Sequence, residues 1–445
     1  MGKGILLFLI IFCYIFRSVA LKSKNKDTKF LWVSFFIFCI PFEFGKALNT
    51  PKFNDIAGTV QPIYIISLTI GLIIAVLPSA KRRWMEYSFK PNNWVNCVCL
   101  LLLLSFLNPY NSFPTGTWVL AIFFLSNILL FKMLSSFLSM EDVLNGLFDG
   151  LMLLTVAQFF LAICFPVLGI SAVTKLFHES AEIWATRLDT RSGAVGFFNH
   201  PGRLALFMVI TAAFFLATYL YDFRKKASKM ALILCVLIIF LTYSRTSYLA
   251  LIITLSSCYY LNKNAHKNLF SVGNILKFVV PTVLALVYLI AYSPLSELFM
   301  GSDSSDQYDN RMVHWLMALH LFDASPIIGV GLNGHLSYLS QHLGIVNQMT
   351  TDDFFAINPI HNIHLIVLAE VGMIGMILWV CFLFGNIFKA KKEISKGHNE
   401  ILSLSMIGLF IAYIIYGLSG WAPFSTAILP IFLFITFFSI KYRQQ

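Results

Sequence analysis

Residues 203–221 read RLALFMVITAAFFLATYLY, residues 222–229 read DFRKKASK, and residues 230–243 read MALILCVLIIFLTY. Beyond Arg203 the first stretch carries no charge. As a helix rising about 1.5 Å per residue it nearly matches the roughly 30 Å hydrocarbon core of a bilayer. Neither apolar stretch alternates polar with apolar residues as a barrel strand would. Unpaired backbone groups are costly in lipid, so helix is the form that remains. The two stretches therefore read as consecutive spanning helices, turned through Arg224, Lys225, Lys226 and Lys229.

The same alternation continues along all 445 residues, of which 58% are hydrophobic and 12% charged, with mean hydropathy +0.77. No soluble domain of this size hides such a composition in one core, so lipid is the expected main solvent. The apolar runs fall at about 4–21, 30–46, 61–79, 93–110, 117–136, 144–170, 203–221, 230–243, 247–262, 275–293, 362–388, 400–418 and 424–440. The sequence thus predicts an all-α polytopic membrane protein with about twelve or thirteen transmembrane helices, twelve if the first run is not a span. That first run resembles a signal-peptide core, but Arg17 and Lys22 follow it without a small-residue cleavage site, so it reads as an uncleaved helix. No internal repeat supports the inverted halves of many transporters.

A net charge of +11 invites a nucleic-acid reading, but the placement of the cations argues against it. Twenty of the 32 Lys and Arg lie in six clusters, at 22–29, 81–90, 224–229, 263–267, 389–396 and 441–443. Each cluster lies between or after apolar runs, and one orientation places all six inside, with the chain starting outside and ending inside. The eight cysteines lie within or at the start of apolar runs and give neither a disulfide framework nor zinc spacing.

The expected organisation is N-terminal helices over 1–170, an external segment over 171–202, helices carrying Ser244-Arg245 over 203–293, a long external loop over 294–361, and C-terminal helices over 362–445. Long ordered loops commonly carry function. Within the longer one, Asp309 to Asp323 places Met312, Trp315, Leu316, Leu319 and Phe322 at the spacing of a short amphipathic helix lying on the membrane face. Pro326, Gly329, Gly331 and Gly334 then impose turns.

Eight of the ten histidines, His178, His200, His314, His320, His335, His342, His361 and His364, map to the external side or its boundary. For His178, His320, His335 and His342 ordinary loop polarity is sufficient explanation. Arg245, in Thr242-Tyr243-Ser244-Arg245-Thr246-Ser247, sits between two runs at the outer boundary. An arginine there either snorkels to headgroups or has a task, and the flanking hydroxyls favour a task. Arg311 is the only Lys or Arg between Ser293 and Pro359, a stretch with seven acids: Glu297, Asp303, Asp306, Asp309, Asp323, Asp352 and Asp353. A salt bridge to Asp309 or Asp306 and a diphosphate clamp fit it equally; a guanidinium makes paired bonds to phosphate that lysine does not.

His361-Asn362-Ile363-His364 opens the run at 362–388, with Glu370, Gly372 and Gly375 following on the same expected helix. A neutral imidazole suits a general base taking a proton from a sugar hydroxyl, whereas helix-start polarity is the plainer account of either histidine alone. No third ligand of convincing spacing joins His361 and His364, so a metal is the weaker reading. Asn199-His200-Pro201-Gly202-Arg203 opens another helix, with Arg187 and Arg191 nearby. Its free N–H groups and dipole suit a phosphate, though headgroup contact explains the same residues.

Taken in order, Ser244-Arg245, Arg311 to Trp315, Gly329-Val330-Gly331, and His361-Asn362 leading into Ala369-Glu370-Val371-Gly372 resemble the O-antigen polymerase and O-antigen ligase superfamily. The likeness covers about Gly196 to Ile377; earlier helices match in hydropathy and count alone. It implies a GT-C-like membrane glycosyltransferase of the bacterial plasma membrane, inverting and needing no metal or other cofactor. Its donor would be an undecaprenyl-diphosphate-linked oligosaccharide on the external, periplasmic side. Arg245 and Arg311 resemble the family's diphosphate arginines and His361 the histidine beside the acceptor hydroxyl. Arg203, His200, Asn362 and His364 would line the substrate more loosely. The implied partners are a glycan or lipid-linked glycan acceptor, membrane lipids and a chain-length regulator, with no nucleic acid. Polymerase activity on a second lipid-linked repeat is the first expectation. Ligation to a lipid A core or a protein is the second, and a lipid-linked glycan flippase the alternative from another class.

Overall fold

The computed structural model describes residues 2–42, 93–164, 193–198, 200–262, 303–342 and 359–442, with backbone alone for 2–4, 93 and 303–310. The spans expected at 61–79 and 275–293 lie outside the described residues, as do the clusters at 81–90 and 263–267, most of the segment 171–202 with His178, Arg187, Arg191 and Asn199, and Glu43, Glu297, Asp352 and Asp353. Among the described residues every regular element is a helix. In chain order these are α1 (Gly2–Lys22), α2 (Phe30–Cys39, prolonged by a tight turn at Ile40–Phe42), α3 (Asn93–Leu107), α4 (Pro114–Phe137), α5 (Met140–Cys164), α6 (Pro201–Leu220), α7 (Lys225–Leu241) and α8 (Arg245–Leu261). After them come α9 (Asp303–Ala324), α10 (His335–Gln341), α11 (Ile363–Lys396), α12 (Glu400–Gly417) and α13 (Leu429–Lys441).

Six of the described helices, α1, α4, α5, α6, α11 and α12, are long and apolar enough to cross a membrane, and α2, α3 and α13 are shorter apolar helices. The chain is an all-α polytopic membrane protein. The quoted stretch 203–221 becomes α6, the hub of the bundle, packed against α7, α8 and α12 and buried along nearly its whole circumference. A helix apolar on every face is content in that position.

One ion pair joins charges on two of the helices. Asp149 on α5 receives both Nη atoms of Arg17 on α1, at 2.5 and 2.6 Å, and the Ser34 hydroxyl at 2.6 Å. Tyr14 and Ser34 share a further bond of 2.9 Å. Since α1 otherwise presents Phe8, Phe12, Ile15 and Phe16 outward, this ion pair is its principal polar tether. Gly146 and Gly150, one turn apart on α5, let the α2 backbone at Phe30 and Ser34 come against them, the small-residue contact by which helices pack in lipid.

The sequence reading places Glu370, Gly372 and Gly375 on one helix; the structure breaks that helix at Gly372, where φ is 61° and ψ −160°. This region is essentially reserved for glycine. The opened turn is filled by the segment after α9. Val330 and Gly331 donate their N–H groups to the carbonyls of Ala369 and Glu370, both at 2.9 Å, while Met373 and Ile374 donate to Pro326 and Ile327 at 2.8 and 3.3 Å. Gly329 (φ 69°) and Gly372 lie so close to the opposing backbone that a Cβ on either would collide with it. Breaking a span is tolerable when protein supplies the missing hydrogen bonds. The far side of the same loop is held by the α3–α4 turn: Asn108 Nδ2 donates to the Gly329 carbonyl at 2.6 Å, Thr117 to the Leu332 carbonyl at 2.9 Å, and Leu332 N–H to Ser105 at 2.6 Å.

The amphipathic helix expected over Asp309–Asp323 is present as the second half of α9. Its apolar residues divide into two stripes. His314, Met317, Ala318 and Leu321 are buried, whereas Met312, Trp315, Leu316 and Leu319 are exposed on the side away from the bundle.

Candidate functional site

α6, α8 and α11 begin, and α12 ends, at one end of the bundle, and this is where the polar residues singled out in the sequence gather. Asn362 caps α11, its Oδ1 accepting from the N–H groups of His364 and Leu365 at 2.9 and 3.1 Å. That cap stops the helix one residue after His361, leaving the His361 ring outside the helical turn. His200 caps α6 in the same manner, its Nδ1 accepting from Gly202 N–H at 2.9 Å. In neutral form its remaining proton is therefore on Nε2.

The Tyr416 hydroxyl lies at the centre. It is packed on Gly202 at the start of α6 and hydrogen-bonded with Ser244 and Ser247, which are joined to each other at 2.7 Å. Arg245 stands between those serines as the first residue of α8. Arg311 and Arg203 are both within electrostatic reach of the Tyr416 oxygen. Arg203 is buried and lies over the Trp421 ring, 4.8 Å from its centroid, a cation–π contact that fixes the head of a long side chain. Arg311 has no carboxylate partner among the described residues, and the side chains of Asp306 and Asp309 lie outside them.

His361 stacks on His314, with centroids 4.8 Å apart and planes 5° from parallel, and their Nδ1 atoms are 3.1 Å apart. Burial first, and then the Arg311 charge, push the His361 pKa down to about 4. Burial, with His361 and His335 adding, takes His314 down to about 3. His200 is likewise pushed down to about 3 by burial, then by Arg203 and His361. Near neutral pH all three rings are uncharged, so the positive charge of this region is carried by the arginines.

Behind His314 lies a pair that the sequence reading does not find. His335, taken there as loop polarity, is 1% exposed, and its Nδ1 meets Glu370 Oε1 at 2.6 Å. His364, grouped with His361 in the sequence, has both nitrogens occupied by helix packing: Trp379 Nε1–H donates to its Nδ1 at 3.2 Å, and its Nε2 reaches the Ile414 carbonyl at 3.2 Å. It joins α11 to α12. Among the described residues no three His, Cys, Asp or Glu side chains are arranged to share a metal ion.

Beside the histidines a cavity of about 620 Å³ runs between α3, α4, α11 and α13, from Asn333 and Glu370 at one end, past Leu102, Phe124, Trp379 and Phe432, to Lys389 at the other. Its walls are mostly apolar.

Residues 230–380 match the family model described as O-antigen ligase. Over that segment, about a third of the chain, the sequence is similar to the O-antigen polymerase and ligase superfamily. The match takes in most of α7, all of α8, α9 and α10 and the first half of α11, and with them Arg245, Arg311 and His361. No curated protein matches the chain. Of the residues absent from the sequence reading of the superfamily site, His314 had a signal, lying three residues from Arg311 and so on the same helical face. Tyr416 and Trp421 had none, since nothing in their local sequence distinguishes them from other aromatics at a helix end.

Proposed function

We propose that the chain is an inverting membrane glycosyltransferase that polymerises lipid-linked repeat units on the outer side of the plasma membrane. The observation that carries this reading is the gathering of Arg203, Arg311 and the Ser244-Arg245 turn about Tyr416, with His361 against Arg311. The donor's undecaprenyl diphosphate lies among the guanidinium groups, which stabilise the charge that develops as its bond to the anomeric carbon breaks. His361 accepts the acceptor hydroxyl proton as that oxygen bonds to the anomeric carbon from the opposite face, and the bonding pair leaves with the diphosphate. The apolar cavity beside Glu370 offers the low-polarity wall that a polyprenyl tail needs. Lys29, Arg224, Lys396 and Lys441 belong to helix ends opposite the histidines, and the positive-inside rule therefore favours the histidines on the outer side.

Ligation to a lipid A core or protein is a second reading, favoured by the description of the matched family. Transport is disfavoured by Asp149: an ionisable side chain deep in a span would serve a moving ion, but this one is committed to Arg17 and Ser34. Purified full-length protein supplied with one lipid-linked repeat unit tests the proposal. A ladder of lengthened lipid-linked products is expected. Transfer to a lipid A core without lengthening would establish ligation, and movement of intact donor across vesicles without any new bond would establish transport.

A further inference from the structure

A histidine serves as a base only if the nitrogen facing the acceptor carries the lone pair, and a neutral ring has one lone pair and one N–H to distribute. At His361 the choice is made by its neighbours. One nitrogen, Nδ1, is 3.1 Å from Nδ1 of His314, and the ring planes are parallel to within 5°, so neither turns without disturbing the other. The Pro359 carbonyl also accepts from the His361 ring. His314 is 2% exposed and sits on the buried stripe of α9 with Met317 and Leu321, which holds its ring in place. His335 and Glu370 close the row from behind at 2.6 Å. The Glu370 carboxylate accepts the His335 Nδ1 proton, leaving the His335 lone pair on Nε2, which is buried without a hydrogen-bond partner among the described residues.

We propose that His314 is a positioning residue: its Nδ1 accepts the His361 Nδ1 proton and thereby holds the His361 lone pair on Nε2, while the Glu370–His335 pair behind it supplies the negative charge that offsets the imidazolium formed in the reaction. The inference rests on the reading of His361 as the base. In the opposite tautomer His314 donates, the His361 proton sits on Nε2, and His361 has no lone pair there for the acceptor. The charged and titratable groups around His361 are Arg311 on α9, His314 beside it, and His200 and Arg203 at the start of α6; His335 and Glu370 act through His314.

The experiment uses full-length protein in membranes with the lipid-linked repeat unit as substrate. Replacing His314 with Phe keeps a stacked ring and removes the acceptor; replacing it with Asn returns an acceptor oxygen near the place of Nδ1. The expected result for His314→Phe is a fall in kcat of roughly 10- to 100-fold, the scale on which outer partners of a reacting histidine act, with KM unchanged and the acid limb of the pH profile displaced. His314→Asn should recover most of the loss. Wild-type kcat and pH profile in His314→Phe would overturn the inference while leaving the base in place, provided His361→Ala remains inactive; full activity in His361→Ala would overturn both. Should His314→Phe not fold, nitrogen-15 spectra of the histidines in the unaltered protein, assigned with His361→Gln, read the tautomer directly. A proton on Nδ1 of His361 supports the inference, and a proton on Nε2 refutes it.

Discussion

At the scale of single residues, the chemistry assigned to His361 depends on its being uncharged, and its surroundings make it so. Replacing it with Ala is expected to lower turnover by about 10²- to 10⁴-fold, the usual contribution of a general base, with the melting temperature in detergent unchanged. Arg245→Lys keeps the charge but loses the planar fork, and initial rates should fall with it; wild-type rates in both variants would dismiss the assignment. The pH dependence follows from the same burial and the same Arg311 charge. A base works in its neutral form, so activity is present above the His361 pKa and is lost as pH falls through about 4, not through the ordinary 6.5. A rate profile flat from pH 8 to about 5.5 is expected. Removing the cation in Arg311→Gln should move the His361 titration to higher pH, which nitrogen-15 titration of the intact protein reads independently of rate.

At the scale of elements, the helices were legible because lipid enforces long apolar runs: α6 and α12 begin and end within about two residues of the predicted spans. The exposed and buried stripes of α9 were half legible. The spacing of Met312, Trp315, Leu316 and Leu319 gives the apolar face away from the bundle, but His314 belongs to the other stripe, and only its place three residues from Arg311 marks it in the sequence. The break in α11 was not legible, because Gly372 within an apolar run is as compatible with a continuous helix as with a broken one. What decides it is the backbone of residues 326–331, some forty residues earlier, filling the gap. Gly372→Ala places a Cβ against Ile327 in a conformation that costs other residues about 1 to 3 kcal/mol, so this variant should melt earlier and lose activity together. An unchanged melting temperature would show that the loop docks without the break.

At the scale of the whole molecule, Arg17 and Asp149 join a peripheral helix to the bundle through charges that the sequence placed in separate spans without indicating that they meet. Removing one partner leaves the other unpaired in a half-buried setting. Arg17→Leu and Asp149→Leu should each lower stability by about 1 to 3 kcal/mol, and the double variant should recover most of it. Measured melting in a double-mutant cycle decides this; additive losses would mean that the two groups do not interact. The broken helix bears on how the protein is made. Residues 326–331 leave the ribosome before residues 363–396, so the strand-like plug is already synthesised when the interrupted span reaches the insertion machinery. The carbonyls and amides exposed at Gly372 thus meet a waiting template instead of bare acyl chains. A circular permutation that reversed this order would oblige the cell to hold an open helix in the bilayer.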